Sequence, residues 1–211
     1  NYKIYNIKMD IYENGNLNGY LKLIIGCMFS GKTTELIKEF DKWNACKFKC
    51  IMINHISDKR YSEKENETQS HSGIKVNSTN VGDNLMQHFS GSTQTDDILS
   101  YDVIFINEGQ FFTDLYDFVD YLVNSNNKRV YVCGLDGDFQ RKKFGSILDI
   151  IPLCDEVKKY TAICGNCKQK YGIFTYRISD EKEQKVIGSS NYMPVCRKCY
   201  NMLNKNSGRN N

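Results

Sequence analysis

The chain has 211 residues, enough for one substantial domain or one domain with a small appendage. Hydrophobic residues make up 40% and charged residues 25%, the balance of a globular protein with a core of useful size. A net charge of +3 does not argue for nucleic-acid binding, which needs a concentrated basic face, and no apolar run reaches the roughly 20 residues of a membrane span. The first ten residues show no long apolar segment and no small-residue cleavage site, so no secretory signal is expected.

Residues 1–19 are polar, rich in Asn and Tyr, and without sustained periodicity; they read as an extension. A short apolar strand over 21–25 leads directly into a glycine-rich loop. Beyond the loop, Leu36, Ile37 and Phe40 recur at helical spacing within 34–43. A second strand is predicted over 49–54. Residues 57–73 are strongly polar with neither a strand nor a helix pattern, and read as a mobile surface loop of the kind that often carries function. Val103–Ile106 is an apolar run of the sort buried on both faces of a sheet. An amphipathic stretch over 113–123 follows, then a fourth strand over 129–133.

Strands alternating with helices predict an α/β fold, a parallel sheet flanked by helices, over residues 20–160. From 161 to 203 no helical period is visible and two cysteine pairs bracket the sequence, so a small zinc-ribbon-like lobe is expected there. Residues 204–211 read as a disordered polar tail.

The loop Gly26-Cys27-Met28-Phe29-Ser30-Gly31-Lys32-Thr33 fits G-x-x-x-x-G-K-[ST]. Its glycines let the backbone curl so that successive N–H groups face phosphate oxygens. Lys32 is placed to reach the β and γ phosphates, Thr33 to coordinate magnesium, and the following helix to present its positive end. Such a site also needs an acidic group at a neighbouring strand end. Val103–Ile106 runs into Asn107-Glu108-Gly109-Gln110, which puts Glu108 beside the phosphates as a magnesium ligand or a proton acceptor.

Nine cysteines could suggest a disulfide scaffold, but the count is odd and the chain is long for one. Cys164/Cys167 and Cys196/Cys199 form two C-x-x-C knuckles 28 residues apart, which suits a closed, structural, four-thiolate zinc site. A hairpin of 171–177 with 185–188 would return the chain between them. Cys27, Cys46, Cys50, Cys133 and Cys154 read as small buried hydrophobes, and the thiols together imply a reducing, cytoplasmic setting. A zinc ribbon can also bind nucleic acid. Lys168, Lys170, Arg177, Lys182, Lys185, Arg197 and Lys198 are basic, but Asp180, Glu181 and Glu183 lie among them and make a mixed face.

Several segments together resemble the type II thymidine kinases. They are 26–36, 58–61 (Asp-Lys-Arg-Tyr), 108–112 (Glu-Gly-Gln-Phe-Phe), 135–141 (Leu-Asp-Gly-Asp-Phe-Gln-Arg), 186–188 with Tyr192, and the closing C-x-x-C-Tyr200. The match runs in order from about residue 20 to residue 200. It implies transfer of the γ-phosphoryl of ATP to the 5′-hydroxyl of thymidine or deoxyuridine in nucleotide salvage, with magnesium and structural zinc as cofactors. It also implies a homotetramer; with the charge and apolar pattern above, no nucleic-acid or membrane partner is expected. By resemblance Glu108 is the base, and Lys32 and Arg60 complete the catalytic set. Asp58, Lys59, Arg60, Asn107 and Gln110 join the loop around ATP and magnesium. Met28, Phe111, Leu135, Phe139 and Phe144 would wall the pyrimidine, with Thr175, Gln184, Lys185, Val186, Ile187, Gly188 and Tyr192 in a closing lid. Phe112 reads as core. The family usually has Asp at the position of Asn107, so weaker magnesium dependence is expected. The competing expectation is a P-loop ATPase or nucleic-acid module built on the zinc ribbon.

Overall fold

The computed structural model describes residues 12–13, 16–58, 67–69, 73–90, 97–186 and 188–206. Their centre is a six-stranded sheet: β1 (Tyr20–Gly26), β2 (Cys50–His55), β3 (Thr79–Val81), β4 (Val103–Ile106), β5 (Arg129–Leu135) and β6 (Glu156–Tyr160). The spatial order is β6-β1-β5-β4-β2-β3, and every neighbouring pair is parallel. The central strands are apolar because both faces are covered. On one face Ile24, Met52, Phe105 and Cys133 meet Leu36 and Ile37 of helix α1 (Lys32–Ala45). On the other, Leu23, Ile53, Ile104 and Val132 meet Leu115 and Phe118 of α3 (Leu115–Asp120) and Ile147. The short helix α2 (Leu85–Ser90) packs on the same side through Leu85.

Two strands go beyond the sequence expectation. β3 has only three residues, and β6 is an exposed edge carrying Lys158 and Lys159, so neither shows an apolar run. β6 is instead tied to β1 by polar groups. Buried Lys22 contacts Glu39 at 2.9 Å and Glu156 at 3.5 Å, and the Tyr20 hydroxyl donates to Glu156. The amphipathic stretch at 113–123 is α3 followed by a π-helical turn, Tyr121–Ser125. Within the polar 57–73 segment, Glu67–Gln69 pairs antiparallel with Lys75–Asn77, a strand that the composition conceals; 59–66 and 70–72 lie outside the described residues.

The C-terminal lobe corrects three expectations. β9 (Phe174–Arg177) pairs antiparallel with β10 (Tyr192–Val195), not with 185–188, and β7 (Ala162–Ile163) pairs with β8 (Tyr171–Gly172). The described residues between β9 and β10 thereby form a connection that reaches the C-terminal ends of β5 and β2, through Gln184 to Asp138 and Lys185 to Ser57. A helix, α4 (Arg197–Asn206), occupies the end of the lobe and includes 204–206 of the expected tail; 207–211 lie outside the described residues. Its period is masked by Lys and Asn on the outer side, while Tyr200 and Leu203 pack with Phe174 and Val195. Cys46, expected inside, is exposed at the end of α1, and Cys50 and Cys154 are only half-buried. Among the described residues no helix is long and apolar enough to cross a membrane.

Candidate active site

Because the strands are parallel, the loops that leave their C-terminal ends converge on one edge of the sheet. β1 ends at Gly26 and opens the phosphate loop, where Gly26, Phe29 and Gly31 hold φ of 149°, 62° and 84°. Gly31 is followed at once by α1, so the helix's free N–H groups face the loop. Lys32 folds back on the loop, its ammonium donating to the Cys27 carbonyl at 2.8 Å, and the Ser30 hydroxyl donates to the same oxygen. Burial pushes the Cys27 thiol up, so it stays a protonated, unreactive filler. Residues 28–34 with Glu108 and Leu135 enclose a polar hollow of about 330 Å³.

A second cleft of about 560 Å³, including its open mouth, lies alongside. Its walls are Met28, Phe111, Leu135, Phe139, Phe144 and Tyr192, and its rim carries Ser57, Asp58, Asp138, Gln184 and Lys185. Phe111 and Phe144 meet edge to face at 5.5 Å. The result is a flat-sided apolar slot with polar groups at its ends, a form suited to an aromatic base bearing a sugar. Glu108, Met28 and Leu135 line both hollows.

Glu108 is buried and sits in the left-handed region, φ 55° and ψ 41°, a conformation that costs a non-glycine residue about 1–2 kcal/mol. Strain of this kind concentrates at functional positions. Next to it, the buried Asn107 amide is fully engaged. Its NH₂ donates to Asn54 Oδ1 at 2.9 Å and to Asp58 Oδ2 at 3.3 Å; its oxygen accepts from the Cys133 thiol at 3.0 Å and the Thr33 hydroxyl at 3.5 Å. Burial pushes the Cys133 thiol up to about 12, consistent with a donor role.

The segment after β9 is held over the cleft by one buried cation. The Arg177 guanidinium donates to the carbonyls of Glu181, Glu183 and Gln184 and to the Tyr192 hydroxyl, and it stacks 3.9 Å from the Phe139 ring centre. The Tyr192 hydroxyl in turn donates to the Val186 carbonyl at 2.9 Å. Gln184 donates to Asp138, and Lys185 reaches Ser57 at 2.7 Å across the face of Phe111. Below, the Met28 N–H donates to Thr175, joining the phosphate loop to β9.

The four sulfurs of Cys164, Cys167, Cys196 and Cys199 lie within 4.8 Å of one another. Tetrahedral zinc with bonds of about 2.3 Å requires sulfurs about 3.8 Å apart, and Cys167 and Cys196 are at 4.0 Å. The Cys196 N–H donates to Cys164 and the Asn166 amide to Cys199, the donors that stabilise thiolate charge. Burial opposes ionisation of Cys164, but backbone donors around it lower its thiol below the ordinary range. The four cysteines can hold a metal ion, and the set fits structural zinc.

The model of the thymidine kinase family matches residues 19–200. The thymidine kinase of Yaba monkey tumor virus is 40% identical over 190 residues, 89% of this chain and 97% of that protein. Those of sheeppox virus and vaccinia virus are each 39% identical over 183 residues, 86% of this chain and 97% of theirs. The chain belongs to the thymidine kinase family.

For this family member, the structure brings Asp58, Glu108, Met28, Phe111, Leu135, Phe139, Phe144, Thr175, Gln184, Lys185, Val186, Gly188 and Tyr192 around one cleft. Lys59, Arg60 and Ile187 lie outside the described residues. Gln110 lines neither hollow; its amide lies between Leu135 and Glu108. Phe112 is core, packed on the sheet and against His55. Residue-by-residue reading missed Asn54, Ser57, Asp138 and the structural use of Arg177. Strand alternation carried a signal for the last, because Thr175 and Arg177 share a face of β9 and both are buried.

Proposed function

We propose that this protein transfers the γ-phosphoryl group of ATP to the 5′-hydroxyl of thymidine, and of deoxyuridine, in nucleotide salvage. The observation that carries the proposal is Glu108, a buried carboxylate lining both the phosphate hollow and the aromatic slot. The nucleoside base enters between Phe111, Phe144 and Tyr192, with Met28 and Leu135 against its 5-substituent and backbone groups of Gln184, Lys185, Val186 and Gly188 along its polar edge. That placement directs the sugar's 5′-hydroxyl toward Glu108. The hydroxyl oxygen attacks the γ-phosphorus, Glu108 takes its proton, and the bond to the β-phosphate oxygen breaks to release ADP.

Lys32 leaves the Cys27 carbonyl to follow the transferring group, while backbone N–H groups of 28–33 hold the β-phosphate. Lys59 and Arg60 are proposed to add charge from the neighbouring loop. The Thr33 hydroxyl, Asp58 and the oxygens around Asn107 form the hard-donor set that suits magnesium. Bound there with ATP, magnesium supplies positive charge to the β and γ oxygens. The zinc-held lobe keeps the lid in register and excludes water. We propose further that the protein is a homotetramer, as its resemblance implies, acting in the cytoplasm, as its thiols imply, and without a nucleic-acid or membrane partner, as its mixed charge and lack of a long apolar run imply.

The test is phosphorylation from ATP across the four natural deoxynucleosides and deoxyuridine, with Glu108→Gln beside the parent. Thymidine and deoxyuridine should react in preference, and Glu108→Gln should lose on the order of 10²–10⁴-fold in kcat while still binding ATP. Equal turnover of all five nucleosides, or a fully active Glu108→Gln, would remove the proposal.

A further inference from the structure

A general base is useful only if its carboxylate points at the hydroxyl when the substrate arrives. Glu108 has a neighbour suited to that task. The Gln110 amide NH₂ donates to Glu108 Oε2 at 2.6 Å, while the Leu135 N–H donates to Gln110 Oε1 at 3.0 Å. A backbone N–H can only donate, so the Leu135 contact decides which end of the amide is which. The NH₂ group must therefore face the carboxylate.

The amide has no room to swing. Gln110 is buried behind Glu108, outside the lining of either hollow. A Cβ at Gly134 would fall 2.2 Å from its Oε1, and a Cβ at Gly145 would fall 2.1 Å from its backbone oxygen. Gly134 thus makes the space that this side chain fills, and Gly145 lets a second segment close on its backbone. A carboxyl group held through one oxygen cannot turn freely about its last torsion, so the direction of the other oxygen is set as well.

We propose that Gln110 is a positioning residue for the reaction, which orients the Glu108 carboxylate without touching either substrate. The inference rests on Glu108 being the base, as argued above. A residue that merely filled space would affect turnover whether or not the carboxylate at 108 is present; a positioning residue acts only through it.

The experiment is kcat and KM for thymidine phosphorylation in the parent, Gln110→Met, Glu108→Gln and the variant that carries both changes. Gln110→Met should lower kcat on the order of 10–100-fold, with the thymidine KM within about threefold. A residue that acts only through the base has nothing left to position once the carboxylate is gone. Adding Gln110→Met to Glu108→Gln should therefore change the residual turnover by less than about threefold. If Gln110→Met does not fold, Gln110→Glu, which keeps the shape and an acceptor for the Leu135 N–H, replaces it in both backgrounds. An unchanged kcat in the Gln110 variant, or the same fold-loss in both backgrounds, overturns the assignment of Gln110. An active Glu108→Gln overturns the base itself and Gln110 with it.

Discussion

The phosphate hollow and the aromatic slot share Glu108, yet the chain builds them by opposite means. The phosphate side is local: eight consecutive residues, 26–33, supply its backbone curve, its lysine and its hydroxyl. The nucleoside side is assembled from β2, β4, β5, β9 and the β9–β10 connection, and its lid hangs on one guanidinium and a cysteine cluster. A local site can lose a side chain and keep its form. An assembled one depends on contacts far from the ligand, so the two sides should fail separately.

The largest separation should come from the metal lobe. Chelation of its metal, or Cys196→Ser, should lower thymidine phosphorylation by more than about 100-fold through loss of lid order. Binding of a fluorescent ATP analogue should meanwhile stay within about threefold, and a parallel loss of both would show that the two sides are one unit. Next in size is Arg177→Leu, which strips the lid carbonyls of their donors. Charge-assisted hydrogen bonds are worth about 1.5–3 kcal/mol, so steady-state kinetics should show the thymidine KM raised on the order of 10–100-fold. The ATP KM should hardly move.

The matching probe of the phosphate side is Gly31→Ala. A Cβ there meets nothing within 4 Å, so its effect is purely that of φ +84°. About 1–2 kcal/mol of strain is expected, read as a 5–30-fold rise in the ATP KM with thymidine binding intact. The smallest effect should be a pH dependence beneath the slot. Burial lowers His55 from its ordinary 6.5, only partly opposed by its hydrogen bond to Asp83. A depressed histidine contributes stability that is present above the unfolded value and is lost as pH falls through the folded one. The melting temperature should therefore drop as pH falls below 6.5, and the drop should be shallower in His55→Asn.

These differences also explain what could be read from the sequence. The phosphate loop was legible because its chemistry needs adjacent residues, and Val103–Ile106 because a strand covered on both faces is continuously apolar. The four cysteines were legible as a set through their paired spacing. β6 was not, since an edge strand can be as polar as Glu-Val-Lys-Lys-Tyr once Lys22 and Tyr20 grip it from β1. The lid's anchorage was hidden because Arg177 reaches main-chain carbonyls, and a carbonyl leaves no trace in residue type. The inward setting of Gln110 was hidden for a related reason: its motif neighbours Glu108 and Phe111 face the cleft, whereas the 3₁₀ turn Gly109–Phe111 directs its amide inward.

The saturated Asn107 amide also limits what can replace it. An aspartate at this position would lose both bonds its NH₂ group donates and would set a second carboxylate 3.3 Å from Asp58 Oδ2. Asn107→Asp alone would therefore leave two like charges in contact unless a cation bridges them or Asn54 or Asp58 changes with it, so three side chains on two strand ends are substitutable only as a group.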